Sequence, residues 1–262
     1  MSSLLLLHRH HYLITQLVRR DVLLKYRGSF LGIAWSFLYP LLLLTVFTLV
    51  FGNIIGSKWG TQGGGIELAL FIYCGLLVFT PFAEVAGTTP RLLQSYQAYV
   101  KKIIFPTEIL PLVSVLSATV HGAGNLVVLA LVAALAGHLH IMLLLVPLVL
   151  LPAWLFILGI AWFLAAAGAY VRDLIHVMPV FTQLIMFLSP VFYPVEAAPP
   201  LLRQMHHANP LAVAMQDTRR AVLDGMAPQW GNWFAMFIIG LAVAVIGYTF
   251  FLRSKEEFAD VL

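Results

Sequence analysis

The feature that most constrains this chain is a series of six apolar runs, each close to the length of a membrane-spanning helix. An α-helix needs about 20 predominantly apolar residues to cross the hydrocarbon core of a bilayer. Only 10% of the 262 residues are charged and 61% are hydrophobic, whereas about a quarter of a soluble chain is charged. The sequence therefore predicts an all-α integral membrane protein. The predicted spans cover residues 31–52, 68–85, 109–136, 141–170, 177–195 and 233–252.

The order of these runs predicts one transmembrane domain, 1–262. It comprises an N-terminal interfacial helix, five spans with a cytoplasmic connecting helix, an outer segment, and a sixth span with a charged tail. These parts cover residues 1–30, 31–195, 196–231 and 232–262. Pro40 lies within the first span, and neighbouring helices in a bundle tolerate such a kink.

A segment between the second and third spans, residues 91–106, is amphipathic. At about 100° per residue, its apolar side chains share one sector: Leu92, Leu93, Tyr96, Tyr99, Val100, Ile103 and Ile104. The opposite sector is polar: Arg91, Gln94, Ser95, Gln97, Lys101 and Lys102. Such a helix lies at the bilayer interface, and Pro106 ends it because proline cannot donate the next helical hydrogen bond. The segment is either a plain interfacial linker or a docking site for a soluble partner.

Residues 8–27 predict a second, less regular interfacial helix, in which Leu13, Leu17 and Leu24 share a face. The HRHH stretch at 8–11 raises the question of a metal site. Adjacent imidazoles on a helix point in different directions, whereas useful ligand pairs are three or four residues apart. A solvated or headgroup-facing cluster is therefore favoured, and no metal is predicted.

The distribution of lysine and arginine predicts the orientation. With the N-terminus inside, most basic residues fall in the cytoplasm: Arg9, Arg19, Arg20, Lys25, Arg27, Arg91, Lys101, Lys102, Arg172, Arg253 and Lys255. Those outside are Lys58, Arg203, Arg219 and Arg220. This asymmetry predicts that both termini are cytoplasmic. The basic residues are scattered between apolar runs, so anionic membrane lipids explain the net charge of +4 better than nucleic acid.

The polar residues do not converge on a catalytic arrangement. Glu84, Glu108 and Asp173 map near predicted cytoplasmic span ends, and no nucleophile, base or carboxylate pair is convincingly placed. A membrane glycosyltransferase would want an acidic metal-binding loop, so it is the weaker alternative. His121 and Asn125 within the third span either form hydrogen bonds between helices or face a water-filled path.

Four ordered stretches resemble a known family, the six-span permeases of type 2 ABC exporters that export lipid-linked polysaccharides. The stretches are RRDVLLKYRGSFLGIAWSFLYPLL at 19–42, VKKIIFPTEILPL at 100–112, YVRDLIHVMPVFTQLIMFLSPVFYP at 170–194 and NPLAVAMQDTRRAVL at 209–223. The resemblance implies a homodimeric channel in the bacterial inner membrane, paired with two copies of a separate ATPase subunit that holds ATP and magnesium. It implies no cofactor on this chain. The implied cargo is undecaprenyl-linked polysaccharide, O-antigen ahead of teichoic acid or capsule.

The resemblance also assigns roles to three groups of residues. ATPase coupling is implied for Lys101, Lys102, Phe105, Pro106 and Glu108. A periplasmic gate of re-entrant helices is implied around Pro190, Tyr193, Pro194, Asn209, Pro210, Arg219 and Arg220. Candidates for an aromatic channel lining over which sugar rings slide are Trp35, Tyr39, Phe71, Phe187 and Phe192. Each group has an alternative: anionic lipid for the two lysines, a solvated loop for the two arginines, and packing or lipid contact for the aromatics.

The outer segment carries a physical signal of its own. Pro190, Pro194 and Pro210 break regular helix where the chain leaves the bilayer. Non-helical backbone at that depth persists only where protein or water satisfies it. Asn209 followed by Pro210 predicts a helix start, with asparagine as the cap and proline in the first turn. The sequence thus predicts a short helix from this point to about residue 223.

Overall fold

The computed structural model describes residues 3–54, 65–97 and 105–258, and every regular element within these ranges is helical. The α-helices are α1 (Ser3–Tyr26), α2 (Trp35–Ile54), α3 (Gly65–Thr88), α4 (Leu92–Ser95), α5 (Ile109–Leu135), α6 (Val146–Val149), α7 (Leu151–Tyr170), α8 (Leu174–Leu188), α9 (Pro200–His207), α10 (Pro210–Val222) and α11 (Trp230–Ser254). Short 3-10 turns cover Gly32–Ala34, Thr89–Arg91, Ile141–Leu145, Val195–Ala197 and Lys255–Glu257. The predicted all-α fold class is confirmed.

Several of these helices are suited to a bilayer. Within the described residues, four helical stretches are long and apolar enough to cross a membrane: Gly65–Ser95, Ile109–Leu135, Ile141–Tyr170 and Trp230–Glu257. Two shorter apolar helices accompany them: Trp35–Val46 and Leu174–Leu188. The chain is a multi-pass membrane protein.

The helix of the fifth predicted span is shorter than the sequence suggests. α8 begins at residue 174 instead of 177 and ends at Leu188 instead of 195. It ends there because Ser189 is extended (φ −85°, ψ 153°), and Pro190 and Pro194 cannot donate helical hydrogen bonds. α8 therefore rises only about 22 Å, less than the hydrocarbon core of about 30 Å.

The two predicted amphipathic helices also differ from expectation. The segment 91–106 is not one continuous helix, because α4 ends at Ser95 and Tyr96 leaves the helical conformation (φ −111°, ψ 20°). Residues 98–104 lie outside the described residues. The N-terminal helix extends further upstream than the predicted start at residue 8, and it is kinked at His10 (φ −116°, ψ 16°).

The most extensive helix pair is α7 with α11, and glycines allow it. A Cβ atom on Gly159 would overlap the main chain of Val243, and one on Gly247 would overlap the main chain of Gly159. A Cβ atom on Gly240 would lie 2.5 Å from the carbonyl oxygen of Pro152. Small residues let helix backbones approach closely in membranes, where dispersion rather than burial from water drives association.

Two clusters of buried side chains hold the bundle together. The central cluster joins α3, α5, α7 and α10, with fully buried Leu70, Leu129, Ile157, Leu211 and Met215 among its members. The second cluster lies where α1, α4 and the first turns of α5 meet the last turns of α7 and α11. The second cluster therefore fixes the N-terminal helix to the end of the bundle that carries α4.

Candidate functional site

Three ionisable side chains from three helices meet beside α2. They are Lys25 near the end of α1, Glu84 in the last turns of α3, and His121 on α5. Lys25 Nζ lies 2.9 Å from Glu84 Oε1, and His121 Nδ1 lies 3.0 Å from the same oxygen. Because His121 joins α5 to α3, the predicted helix-to-helix hydrogen bond is confirmed for this residue.

His121 Nδ1 has two competing neighbours. It lies 3.1 Å from Lys25 Nζ as well as close to the Glu84 carboxylate. When Nδ1 carries a proton it donates a hydrogen bond to Glu84, and when it does not it accepts one from Lys25. The atom therefore forms a hydrogen bond with only one of these two neighbours at a time. Its Nε2 atom is buried and has no hydrogen-bond partner among the described residues, and its ring stands edge-on to Tyr26 with ring centroids 5.7 Å apart. Glu84 is therefore the common partner that offsets the charge of Lys25.

The cluster forms one wall of a cavity of about 320 Å³ between α1, α2, α3 and α5. Trp35 and Tyr39 of α2 line it and are 40% and 59% exposed. Tyr73 and Thr80 of α3 and Asn125 of α5 also line the cavity. The side chain of Asn125, unlike that of His121, makes no hydrogen bond to another described residue. This leaves it open to the cavity.

The spacing of four residues in α3 would have predicted which side chains line this wall of the cavity. Tyr73, Leu77, Thr80 and Glu84 are spaced by four, three and four residues, which places them on one face of a helix. All four line the cavity. Sequence reasoning considered Glu84 alone and did not place Lys25 here, because the contact joins residues 59 positions apart in the chain and follows from tertiary packing.

The remaining aromatic candidates lie elsewhere in the protomer. Phe187 and Phe192 stack on one another with ring centroids 5.8 Å apart, and Phe187 is 59% exposed. Phe71 instead lies beneath the guanidinium of Arg219, whose Cζ is 3.6 Å from the ring centroid. The structure therefore places the five candidates in three locations, with Trp35 and Tyr39 together in the cavity beside α2.

Arg219 on α10 is buried, with 6% of its surface exposed. Its Nη2 donates to the carbonyl oxygens of Pro190 and Val191 at 2.6 and 2.8 Å, and its Nε donates to that of Phe71 at 3.1 Å. Hydrogen bonds from a charged donor are stronger than neutral ones. Arg219 thus ties α10 to α3 and to the bend after α8, and it is not a solvated loop charge. Arg220 is only half buried and reaches one carbonyl, that of Ala227, at 3.4 Å.

The other residues of the predicted gate surround this bend. The predicted helix start is confirmed, since α10 begins at Pro210 and the Asn209 side chain accepts from the main-chain nitrogen of Leu211 at 3.0 Å. Pro194 immediately precedes a 3-10 turn. A gating role for these residues stays a prediction.

Tyr193 connects the end of α8 to α9. Its hydroxyl donates to the carbonyl oxygen of Leu188 at 2.8 Å and lies 3.4 Å from Nε2 of His206. Burial raises the pKa of Tyr193. Burial and the neighbouring His207 lower the pKa of His206, which favours the neutral imidazole at this contact.

Three of the predicted coupling residues, Phe105, Pro106 and Glu108, lie at the opposite end of the bundle. Lys101 and Lys102 fall outside the described residues, while Phe105 packs against the second buried cluster and Pro106 precedes α5. Glu108 is only 11% exposed, and its carboxylate lies 2.6 Å from Lys255 Nζ. Its main-chain carbonyl accepts from Trp162 Nε1 at 3.0 Å. A docking role for Glu108 remains a prediction, although its carboxylate already has an intramolecular partner.

These features define a multi-pass, all-helical membrane protein with an aromatic and polar cavity at one face of the bundle. Two short helices, α9 and α10, follow α8, and Arg219 joins α10 to the bend after α8 by hydrogen bonds. The family model described as ABC-2 type transporter matches residues 12–223. The chain belongs to the ABC-2 type transporter membrane family.

Relatives of known name align over nearly the whole chain. An O-antigen export system permease protein RfbA of Myxococcus xanthus is 26% identical over 262 residues, which covers 97% of this chain and 96% of the relative. A protein of the same name from Klebsiella pneumoniae is 21% identical over 252 residues, with 95% of each chain covered. The polysialic acid transport protein KpsM of Escherichia coli is 23% identical over 249 residues, with 93% of each chain covered.

Proposed function

We propose that this chain is the membrane-spanning permease subunit of an ATP-driven exporter of lipid-linked polysaccharide, with O-antigen as the cargo. Two copies form the channel in the bacterial inner membrane, with six spans each and both termini in the cytoplasm. Two copies of a separate ATPase subunit supply ATP hydrolysis, so this subunit is not an enzyme. Capsular or teichoic-acid polysaccharide is the second candidate cargo, and the similarity to a protein named for polysialic acid transport supports a polysaccharide other than O-antigen as an alternative.

The observation that carries the proposal is an aromatic and polar face on a chain that aligns over nearly all of its residues with polysaccharide permeases. Trp35 and Tyr39 are both exposed at the cavity, and alignment with the Myxococcus permease covers 97% of the chain. Aromatic rings offer a large apolar surface, and the tyrosine adds a polar group. Such a surface allows a sugar ring to slide because it does not require a fixed set of hydrogen bonds.

The function is tested by complementation. A strain that has lost its own O-antigen permease receives this chain together with a candidate ATPase subunit from the same organism, and surface O-antigen is measured by blotting of lipopolysaccharide. We expect surface O-antigen to return, and to be lost when the ATPase lacks its catalytic activity. Surface capsule without O-antigen would instead support the second candidate, and no polysaccharide at the surface would contradict the proposal.

Reversing the charge of both lysines, by Lys101→Glu together with Lys102→Glu, should reduce the amount of ATPase that co-purifies and should also reduce export. The permease should still insert into the membrane. The reason is that a charged segment beside a proline suits docking to a soluble partner. The competing interpretation is attraction to anionic lipid, worth about 1 kcal/mol for each lysine. Arg253→Glu, at the end of α11, serves as a charge-reversed control. Normal co-purification and export with both lysines reversed would favour the lipid interpretation.

Single cysteines test the topology. A cysteine at Ser57 or at the exposed Gln204 of α9 should react with a membrane-impermeant thiol reagent in periplasm-accessible cells, because both positions are expected outside. A cysteine at Gln97 should react only after the inner membrane is permeabilised. The background variant replaces Cys74, which is buried. Labelling at Gln97 in cells with an intact inner membrane would overturn the orientation.

A further inference from the structure

The charged tail that follows α11 folds back onto the bundle. A 3-10 turn, Lys255–Glu257, continues directly from α11, and Phe258 follows it. Phe258 is only 1% exposed, and its ring stands edge-on to that of Phe251 with ring centroids 5.2 Å apart. The hydroxyl of Tyr170, the last residue of α7, donates a hydrogen bond to the Glu257 carboxylate at 2.9 Å. Because burial of a phenylalanine ring is strongly favourable, the tail is a packed part of the fold.

Phe258 lies in the second buried cluster, together with residues on both sides of the predicted coupling lysines. From α4 and its end, and from the first turn of α5, the cluster contains Leu92, Leu93, Tyr96, Ile109 and Leu110. Phe105 packs against the same cluster. The ring of Phe258 therefore shares one apolar core with the residues that precede and follow Lys101 and Lys102 in the chain.

Glu108, the residue before α5, is held by two other elements. Lys255 Nζ lies 2.6 Å from its carboxylate, and Trp162 of α7 donates to its main-chain carbonyl at 3.0 Å. The side chains of Lys255 and Glu108 are 35% and 11% exposed. Salt screens a partly buried pair less than an exposed one, and removal of one partner leaves the other charge uncompensated. The ion pair thus attaches the start of α5 to the residue that follows α11.

The low exposure of Glu108 bears on its predicted coupling role. A soluble protein can reach little of a carboxylate that is 11% exposed and already paired with Lys255. Two nearby charges, Arg253 and Glu256, are exposed, and in the described part of the chain their side chains make no ion pair or hydrogen bond. Glu108 is therefore better placed to fix the start of α5 than to bind a second protein.

We propose that residues 255–258 form a C-terminal brace that positions the ATPase-coupling segment, through the Lys255–Glu108 pair and the buried ring of Phe258. This inference rests on the proposed function and deepens it. Lys255 and Phe258 are positioning residues, and Glu108 acts through Lys255 instead of contacting the ATPase. Because the brace continues α11, a movement that the ATPase imposes on the segment 91–106 is passed to α11 as well as to α5.

Charge reversal at the ion pair tests the brace. The full-length chain is purified with the candidate ATPase subunit, and the ATPase that co-purifies is measured by quantitative blotting. Lys255→Glu should lower this amount at least about fivefold, because it places two carboxylates side by side. The matched control Arg253→Glu makes the same charge change on an exposed side chain two residues earlier and should leave the amount unchanged.

Exchanging the two charges separates the brace from direct contact. Lys255→Glu combined with Glu108→Lys should restore at least about half of the wild-type amount of ATPase. Full recovery is not expected, because a positive charge at the N-terminus of α5 is unfavourable. If Glu108 contacted the ATPase itself, Glu108→Lys would stay defective with or without the second substitution. Absence of recovery, or a wild-type amount of ATPase in Lys255→Glu, would overturn the proposal.

Two further variants keep the test decisive if Lys255→Glu fails to fold. Lys255→Gln removes the charge without repulsion and should lower the co-purifying ATPase at least about twofold. Phe258→Ala removes the ring from the buried cluster and should give a loss similar to that of Lys255→Glu, whereas Phe258→Leu should retain most of the ATPase. Wild-type amounts of ATPase in both Lys255→Gln and Phe258→Ala would contradict the brace.

Hydrogen exchange on the purified chain without the ATPase tests the brace independently of the proposed function. The amides of Ile109 and Leu110 donate to the carbonyl oxygens of Pro106 and Thr107, both at 3.1 Å. Exchange in residues 105–112 should be at least about tenfold faster in Lys255→Gln and Phe258→Ala, and unchanged in the exposed control Glu256→Lys. Wild-type exchange in both variants rejects the brace alone. Faster exchange in a chain that binds no ATPase and supports no export rejects the proposed function alone.

Discussion

Replacing Arg219 with methionine is expected to reduce export to less than about a tenth of the wild-type rate and to lower thermal stability in detergent. Methionine fills much of the same volume but leaves the carbonyl oxygens of Phe71, Pro190 and Val191 without their donor. A buried polar group that loses its partner costs about 1–3 kcal/mol. The bend after α8 would then lose its attachment to α10. Polysaccharide at the cell surface and the unfolding midpoint of the purified chain measure the two effects.

The adjacent arginine provides the matched control. Arg220→Met removes the same charge one residue later, and it loses weak contacts to Ala227 at 3.4 Å and an electrostatic interaction with Asp217. We expect stability and export close to wild type. Arg219→Lys should recover only part of the loss, because an ammonium group cannot reproduce the planar fork that reaches separate carbonyls. If both methionine variants behaved alike, a specific role of Arg219 in fixing the bend would be wrong.

Replacing Gly159 with alanine is expected to destabilise the α7–α11 pair and to lower the unfolding midpoint by roughly 5–10 °C. The added Cβ atom meets the backbone of Val243, which cannot move aside as a flexible side chain would. The two helices must therefore separate along their length. Differential scanning fluorimetry of the purified chain and the yield of monodisperse protein report the effect.

For a glycine on the partner helix α11 we expect no loss of stability on substitution with alanine. A Cβ atom on Gly231, in the first turn of α11, meets no atom within 4 Å. Gly231→Ala should be neutral or slightly stabilising, because alanine favours helix over glycine by about 1 kcal/mol. A loss of stability equal to that of Gly159→Ala would show that close backbone contact is not what the α7–α11 pair requires.

The sequence by itself determined the all-helical membrane class and most of the helix positions. Long apolar runs leave the backbone no stable alternative in lipid, because each main-chain polar group must be satisfied within its own segment. This is why the predicted spans at 109–136 and 141–170 agree with the helical stretches Ile109–Leu135 and Ile141–Tyr170. Local capping chemistry likewise sufficed to predict the start of α10, since the Asn209 side chain accepts a hydrogen bond from the first turn that it caps.

The sequence pattern was less reliable at helix ends and at breaks in the helical backbone. It extended the fifth helix past Ser189, because hydropathy continues through residue 195 while the hydrogen-bonding pattern does not. It also joined 91–106 into one helix, although Tyr96 breaks the helical backbone. Amphipathic periodicity indicates which side chains share a face, but it does not report the backbone angles of a single residue.

Only the tertiary structure decided which polar groups meet. Arg219 looked like an outer loop charge, yet it lies beside the buried Met215 and Val222 on α10 and reaches carbonyls on α3 and after α8. Lys25, Glu84 and His121 are distant in sequence and lie within a few ångströms of one another in the fold. The physical reason is that hydropathy and periodicity act locally along the chain, whereas the partner of a buried charge is chosen by how the helices pack.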